Sequence, residues 1–268
     1  MKRMNTHLIL LVTALLLVST TAFSQEPATA EPEPETSSII YDGSVYGFDF
    51  AWKRKSRMSI HLPELSFAFA NLEGLSDQPH ADLKEPRSYS IGIGLGSYTV
   101  GLSEHWALGA GLRLDFTRYH FKGNVGLRET RDYDIAGEPI GKSYYDFLPD
   151  PEGREYKSSK LIAYYIAVPL VLEYQVNISN KHNPFFINAG VEGLIRYYSK
   201  SQVDVKVPGK VTKESLGDAN IPLVNARLIV NVGFDSVGFT AYYQPHSLFK
   251  NNRGPDLYPW GVGLAVWI

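Results

Sequence analysis

The chain has 268 residues, a formal net charge of −2 and no cysteine. Near-neutral charge argues against a nucleic-acid partner, and the lack of cysteine excludes disulfides and thiolate metal sites. Tyrosine and phenylalanine are plentiful, 17 and 13, which is the supply that aromatic girdles at two membrane interfaces require.

The chain opens with Lys2 and Arg3, an apolar run over Leu8–Val18, and Ala22-Phe23-Ser24. These are the three parts of a cleavable export signal, so residues 1–24 are expected to be removed before Gln25. No Cys follows the apolar run, so no lipid-modified N-terminus is expected. Residues 25–56 form a second region. Within it, Gln25–Ser38 is rich in Pro, Glu, Ala, Thr and Ser and reads as an extended tether. Ile39–Ser56 alternates Tyr46, Phe48, Phe50 and Trp52 before the basic run Lys53-Arg54-Lys55. It reads either as a short periplasmic strand or as a lead-in at lipid headgroups. Beyond the leader no apolar stretch reaches about 18 residues, so no spanning helix is expected. A closed barrel can still cross a membrane, because it satisfies every backbone group internally.

Residues 57–268 read as eight strands. The first, about Ser59–Asn71, sets Leu65, Phe67 and Phe69 against Glu64, Ser66, Ala68 and Ala70. The second, about Arg87–Leu102, alternates Tyr89, Ile91 and Ile93 with glycines, and a phase slip near Ser97 suits a bulge. In the third, about His105–Phe121, Trp106, Leu108, Ala110, Leu112, Leu114 and Phe116 face out, while Gly109, Gly111, Arg113, Asp115 and Thr117 face in. The fourth, Ile162–Val176, carries the longest apolar face, with Tyr164, Ile166, Val168, Leu170 and Leu172 opposite Tyr165, Ala167, Val171 and Glu173. The remaining four are about Pro184–Lys200, Ile221–Phe234, Val237–Lys250 and Leu257–Ile268. Short connections at Ser103-Glu104, Asn177–Asn183 and Asp235-Ser236 alternate with longer polar ones at Leu72–Pro86, Lys122–Ser159, Ser201–Asn220 and Asn251–Asp256. The expected fold is therefore all-β: an eight-stranded antiparallel transmembrane β-barrel with short periplasmic turns and longer surface loops. An even strand number places both termini in the periplasm.

Four segments carry a resemblance: Lys160–Gln175 (KLIAYYIAVPLVLEYQ), Phe185–Tyr198 (FFINAGVEGLIRYY), Tyr243–Lys250 (YQPHSLFK) and Pro255–Ile268 (PDLYPWGVGLAVWI). Over about Arg57–Ile268 the chain resembles the Bacteroidetes outer-membrane β-barrel family typified by PorT. The resemblance implies an integral protein of the bacterial outer membrane. Some members of that family serve the gliding-associated type IX secretion system. It thus implies an accessory, secretion-related role, with outer-membrane lipid and other envelope or secretion proteins as partners. The shared motifs are strand patterns rather than catalytic residues.

Projected inward by alternation, the strands supply Glu64, Asp115, Glu173 and Glu192 against Arg113, Arg196 and Arg227, with His246 as a further polar candidate. Side chains just fill an eight-stranded barrel, and buried charges must pair. These seven charges read as a structural lumen network that fixes register and plugs the barrel; a gated ion path or proton-linked switch is the sharper alternative. Glu104-His105 and His120 are the visible hints of acid–base chemistry, and neither Gly-x-Ser-x-Gly, His-Glu-x-x-His nor a phosphate loop occurs. The expectation is a non-enzymatic structural or accessory envelope protein, without catalytic residues, cofactor or metal. A small-solute, porin-like channel is the alternative. The long connection Lys122–Ser159, with Tyr133, Tyr144, Tyr145 and Phe147 among charges, reads equally as a functional loop or as disorder.

Overall fold

The computed structural model describes residues 41–45, 60–78, 81–84, 87–135, 137–177 and 184–267. The leader of residues 1–24, the tether 25–38 and the basic run Lys53-Arg54-Lys55 lie outside the described residues. The described part is all-β. In chain order its strands are β1 (Tyr41–Val45), β2 (Leu65–Glu73), β3 (Asp82–Leu83), β4 (Tyr89–Gly101), β5 (Trp106–Lys122), β6 (Val125–Tyr133) and β7 (Pro139–Pro149). They continue as β8 (Tyr156–Asn177), β9 (Pro184–Val207), β10 (Lys210–Gly217), β11 (Val224–Phe234), β12 (Val237–Tyr243) and β13 (Tyr258–Val266). No helix among these residues is long and apolar enough to cross a membrane, which says nothing of strands.

Eight strands form a closed hydrogen-bonded ring in the order β4-β2-β13-β12-β11-β9-β8-β5, with β5 returning to β4. Every pairing in it is antiparallel. Closure leaves no edge strand in the ring, so each ladder group there finds a partner. Each of the eight expected strands has a counterpart. Alternation decides which residues face in: along β2, Leu65, Phe67 and Phe69 are exposed while Ser66, Ala68 and Ala70 are buried. The slip expected near Ser97 falls at Leu95, the extra residue where the β4–β5 register shifts between Gly94 and Gly96. Before it Ser90 and Gly92 are buried; after it Thr99 is buried and Tyr98 exposed, so the bulge re-phases the strand.

Three expectations need correction. The first strand begins at Leu65, not Ser59, because Ile60–Pro63 leaves the ladder and runs buried within the ring. Pro63 offers no N–H for a ladder, which suits a strand limit at this point. The seventh strand stops at Tyr243 instead of Lys250, and Leu248 and Phe249 turn into the core. The third correction concerns the long connections. Lys122–Ser159 is neither disordered nor a plain loop: β6 and β7 pair as a hairpin, and β10 pairs with the extended end of β9. Pro208-Gly209 makes the two-residue turn into β10, with Gly209 at φ +78°.

The segment Ile39–Ser56 contributes β1, which pairs with β4 over Gly96–Val100. That stretch of β4 has no contact with β2 in register, since β2 reaches it only over Tyr89–Ile93. The stagger needed to close a tilted ring is thus gathered at the β2–β4 seam, and β1 covers the overhang. The largest apolar core lies toward the loop-bearing end. There Leu127, Tyr145 and Phe147 of the hairpin meet Phe121, Leu161, Tyr165 and Leu194 of the ring, together with Ile221, Leu248, Phe249 and Leu257 from the connections.

Candidate functional site

The ring interior holds three tiers of side chains, placed by inward strand positions, by the segment Ile60–Pro63 and by the hairpin and connections above. The middle tier is charged. Arg113 and Asp115 come from β5, Glu192 from β9 and Arg227 from β11. Arg227 is the bridge: its Nη2 donates to Asp115 Oδ2 at 2.6 Å and its Nε to Glu192 Oε2 at 2.5 Å. Arg113 donates to Glu192 Oε1 at 3.5 Å and to Ser66 Oγ at 2.7 Å. Ser90 and Thr117 donate to Asp115, Thr117 at 2.7 Å. The Arg227 guanidinium also lies 4.5 Å from the centre of the Tyr242 ring, within cation–π range. Two cations and two carboxylates leave the tier formally neutral, the condition under which buried charge is tolerable. Gly92 faces this tier, and a Cβ there would run into the Arg113 guanidinium and Ser66 Oγ.

A second tier surrounds Glu173 of β8. Its carboxylate accepts from the His61 backbone N–H at 2.9 Å, from Asn188 Nδ2 at 2.9 Å and from Gln175 Nε2 at 2.5 Å. His61 Nδ1 lies 2.7 Å from Oε1. Asn188 also donates to the His61 carbonyl, and Asn231 donates to Asn188 Oδ1 at 2.7 Å. The His61 ring stacks on Phe186 with centroids 4.0 Å apart, and Phe186 packs edge-on against Trp267. Ile60 donates its N–H to Thr99 Oγ1. Thus Ile60–Pro63 is held across the interior by polar contacts at His61 and by apolar packing of Ile60 and Leu62 with Ala107, Val171 and Tyr242.

The third tier is the apolar cap, locked from above by ions. Asp150, buried at the end of the hairpin, accepts from Arg154 Nη2 at 3.0 Å, from Arg128 Nη2 at 3.3 Å and from the Glu152 N–H at 2.8 Å. Arg154 also grips Glu214 of β10 with both Nη atoms, at 2.8 and 3.0 Å. Desolvation opposes ionisation of Asp150, but the hydrogen bonds from Arg154, the Glu152 N–H and Tyr156 prevail and hold its carboxyl at about 2.

Of the seven charges expected inside, the structure gathers Arg113, Asp115, Glu192 and Arg227 into one cluster and gives Glu173 a cluster of its own. Arg196 joins neither: it pairs with Asp218 at 2.9 Å in the connection before β11. Glu64 sits half-buried just before β2, where its carbonyl accepts from the Gly94 N–H. His246 is exposed, outside both buried clusters. Asn188, Asn231, Ser66 and Tyr242 join these clusters from inward positions that alternation marks as it marks the charges, whereas His61 lies on a segment outside the ladder, where alternation is no guide. Burial limits what this interior can do. A water-filled passage leaves its lining accessible, yet Glu173 and Glu192 are 0% exposed, Asp115 1%, Arg113 5% and Arg227 6%. Among the described residues no group of three or more His, Asp or Glu side chains is placed to hold a metal ion. What the arrangement does is cross-link: Arg227 alone ties three strands, β5, β9 and β11. Comparison with protein families, with curated proteins and with solved structures returns no match.

Proposed function

We propose that this protein is an integral outer-membrane β-barrel with a sealed interior, acting as a non-enzymatic structural or accessory component of the bacterial envelope. The observation that carries the reading is the inverted burial of the ring. Its outward side chains are large and apolar, with Phe69 53%, Leu170 48% and Leu264 60% exposed, while its inward side chains include buried charge. Water is a poor solvent for such an outer wall, and hydrocarbon is a good one. Exposed Trp106 and Trp260 on opposite sequence halves, and Tyr197 and Tyr198 on β9, suit interfacial anchoring.

Function then lies in surfaces rather than in a passage. Among the described residues the inward charges are buried, which favours a sealed interior over the channel alternative. The outward parts are the hairpin β6–β7 and the β9–β10 extension, both on the loop-bearing end. Contacts of those parts with other envelope proteins supply the accessory role, and the likeness to PorT-like proteins makes secretion components the first partners to seek. Purified protein in planar bilayers, combined with affinity capture from envelope membranes, tests this. The expected result is insertion without steady conductance and a reproducible envelope partner. Steady single-channel conductance overturns the sealed reading in favour of a channel.

A further inference from the structure

The outer wall of β4, β5, β8 and β9 changes character in regular steps toward the loop-bearing end. Antiparallel register aligns Ile93, Leu114, Ile166 and Ile195 as one outward row. The next row carries Ile91, Phe116, Tyr164 and Tyr198, with Phe116 and Tyr198 ring centres 5.1 and 5.2 Å from that of Tyr164. One step further, Tyr89, Arg118, Ile162 and Lys200 stand in line. Each step is about 7 Å along the strands. Beyond lies His120 opposite Lys160, its Nδ1 2.7 Å from the Arg87 carbonyl oxygen, with Arg87, Arg118 and Lys160 close enough for their charges to act on it.

Among the described residues most of these cations are not matched by acids. Lys160 pairs with Asp204 at 3.5 Å, but no carboxylate among the described residues pairs with Arg87, Arg118 or Lys200. Arg118 instead lies 5.8 Å from the Tyr89 ring centre, within cation–π range. At the same end of β2 and β12 the outward groups are Glu73 and Tyr243, bonded to each other at 3.0 Å.

We infer that Arg87, Arg118, Lys160 and Lys200 form a binding site for the phosphate-bearing headgroup of a membrane lipid, seated on the outer wall above the Phe116–Tyr164–Tyr198 row. The inference rests on the membrane reading above. An apolar row, an aromatic row and then cations, three of them without a carboxylate partner among the described residues, reproduce in sequence the acyl chains, the interface and the phosphates of a lipid leaflet. Arg suits phosphate through paired N–H donors, and Lys through point charge.

The test reconstitutes the full chain into phosphatidylcholine vesicles with and without lipid A, then measures lipid retained after detergent extraction by native mass spectrometry. The expected result is selective retention of lipid A, reduced about fivefold for each cation removed, in Lys200→Gln and then Arg118→Gln/Lys200→Gln. Lys142→Gln, on the exposed hairpin tip, is expected to retain lipid A as the parent does. Heat-modifiable migration on gels confirms that each variant is folded, and the half-exposed Lys200 gives a readout even if the double variant does not fold. Equal retention of lipid A by the parent and Lys200→Gln overturns the site. So does displacement of lipid A by inorganic phosphate alone, which marks a free-anion site. A folded protein that inserts but retains both lipids equally overturns the inference while leaving the membrane reading intact; failure to insert into either vesicle overturns both.

Discussion

Replacing Arg227 with Met is the perturbation that probes the interior most sharply. The side chain donates to Asp115 and Glu192, at 2.6 and 2.5 Å, and is 6% exposed. Met keeps much of the apolar stem, so the cavity term is small, but two carboxylates are left to share Arg113 and the charge balance of the tier moves from zero to −1. Removing one partner of a buried pair costs about 3–5 kcal/mol, and the lost contact with Tyr242 adds about 1 kcal/mol. Unfolding in urea, followed in detergent by loss of the heat-modifiable band, reads this directly. Adding Glu192→Gln restores neutrality with Arg113 facing Asp115, so the pair of substitutions is expected to be non-additive by about 1–3 kcal/mol. An Arg227→Met cost below about 0.5 kcal/mol, or strict additivity with Glu192→Gln, refutes the reading of this tier as the cross-link of the ring.

Other consequences are equally open to measurement. Leu170→Arg places a charge on the outward face of β8 and is expected to cost about 2–4 kcal/mol in a bilayer; a neutral result contradicts the orientation of that strand. His61→Ala removes the stack on Phe186 and one donor to Glu173, for an expected loss of about 1–3 kcal/mol in the same urea assay, and an unchanged midpoint argues against Ile60–Pro63 as a fastened plug. Asp150 has its carboxyl held at about 2, below its ordinary 3.8. A depressed value means that its stabilisation is complete above 3.8 and is lost as pH falls through about 2. Proteolysis of the hairpin is therefore expected to stay slow down to pH 3.8 in the parent and to be fast in Asp150→Asn at neutral pH. Loosening of the parent hairpin between about pH 6 and 5 contradicts that assignment.

The ring was legible because a strand with one face to each environment writes its period into the sequence. Val168, Leu170 and Leu172 against Ala167, Val171 and Glu173 leave little room for another reading. The same rule placed Arg113, Asp115, Glu192 and Arg227 inward, and two-residue turns such as Asp235-Ser236 set the pairing of β11 with β12. It misled at Ile60–Pro63, where apolar and polar residues go on alternating although the backbone has left the ladder. It failed for β6 because Val125, Gly126 and Leu127 are buried in succession beneath the connections, while residues 129 and 131–133 face solvent. A strand half inside a cap and half outside has no single period. Arg196 shows a different limit: it lies at the ring's mouth, within reach of Asp218 from a connection whose path alternation does not predict.

The most direct test of a lipid-facing wall around a sealed interior uses the absence of native cysteine. Single replacements Leu170→Cys and Val171→Cys, neighbours on opposite faces of β8, carry one fluorophore each into vesicles with brominated acyl chains. Strong quenching at position 170, with position 171 unlabelled in the folded protein or shielded from bromine, is the expected result. Equal quenching at both positions, or none at 170, contradicts the membrane barrel.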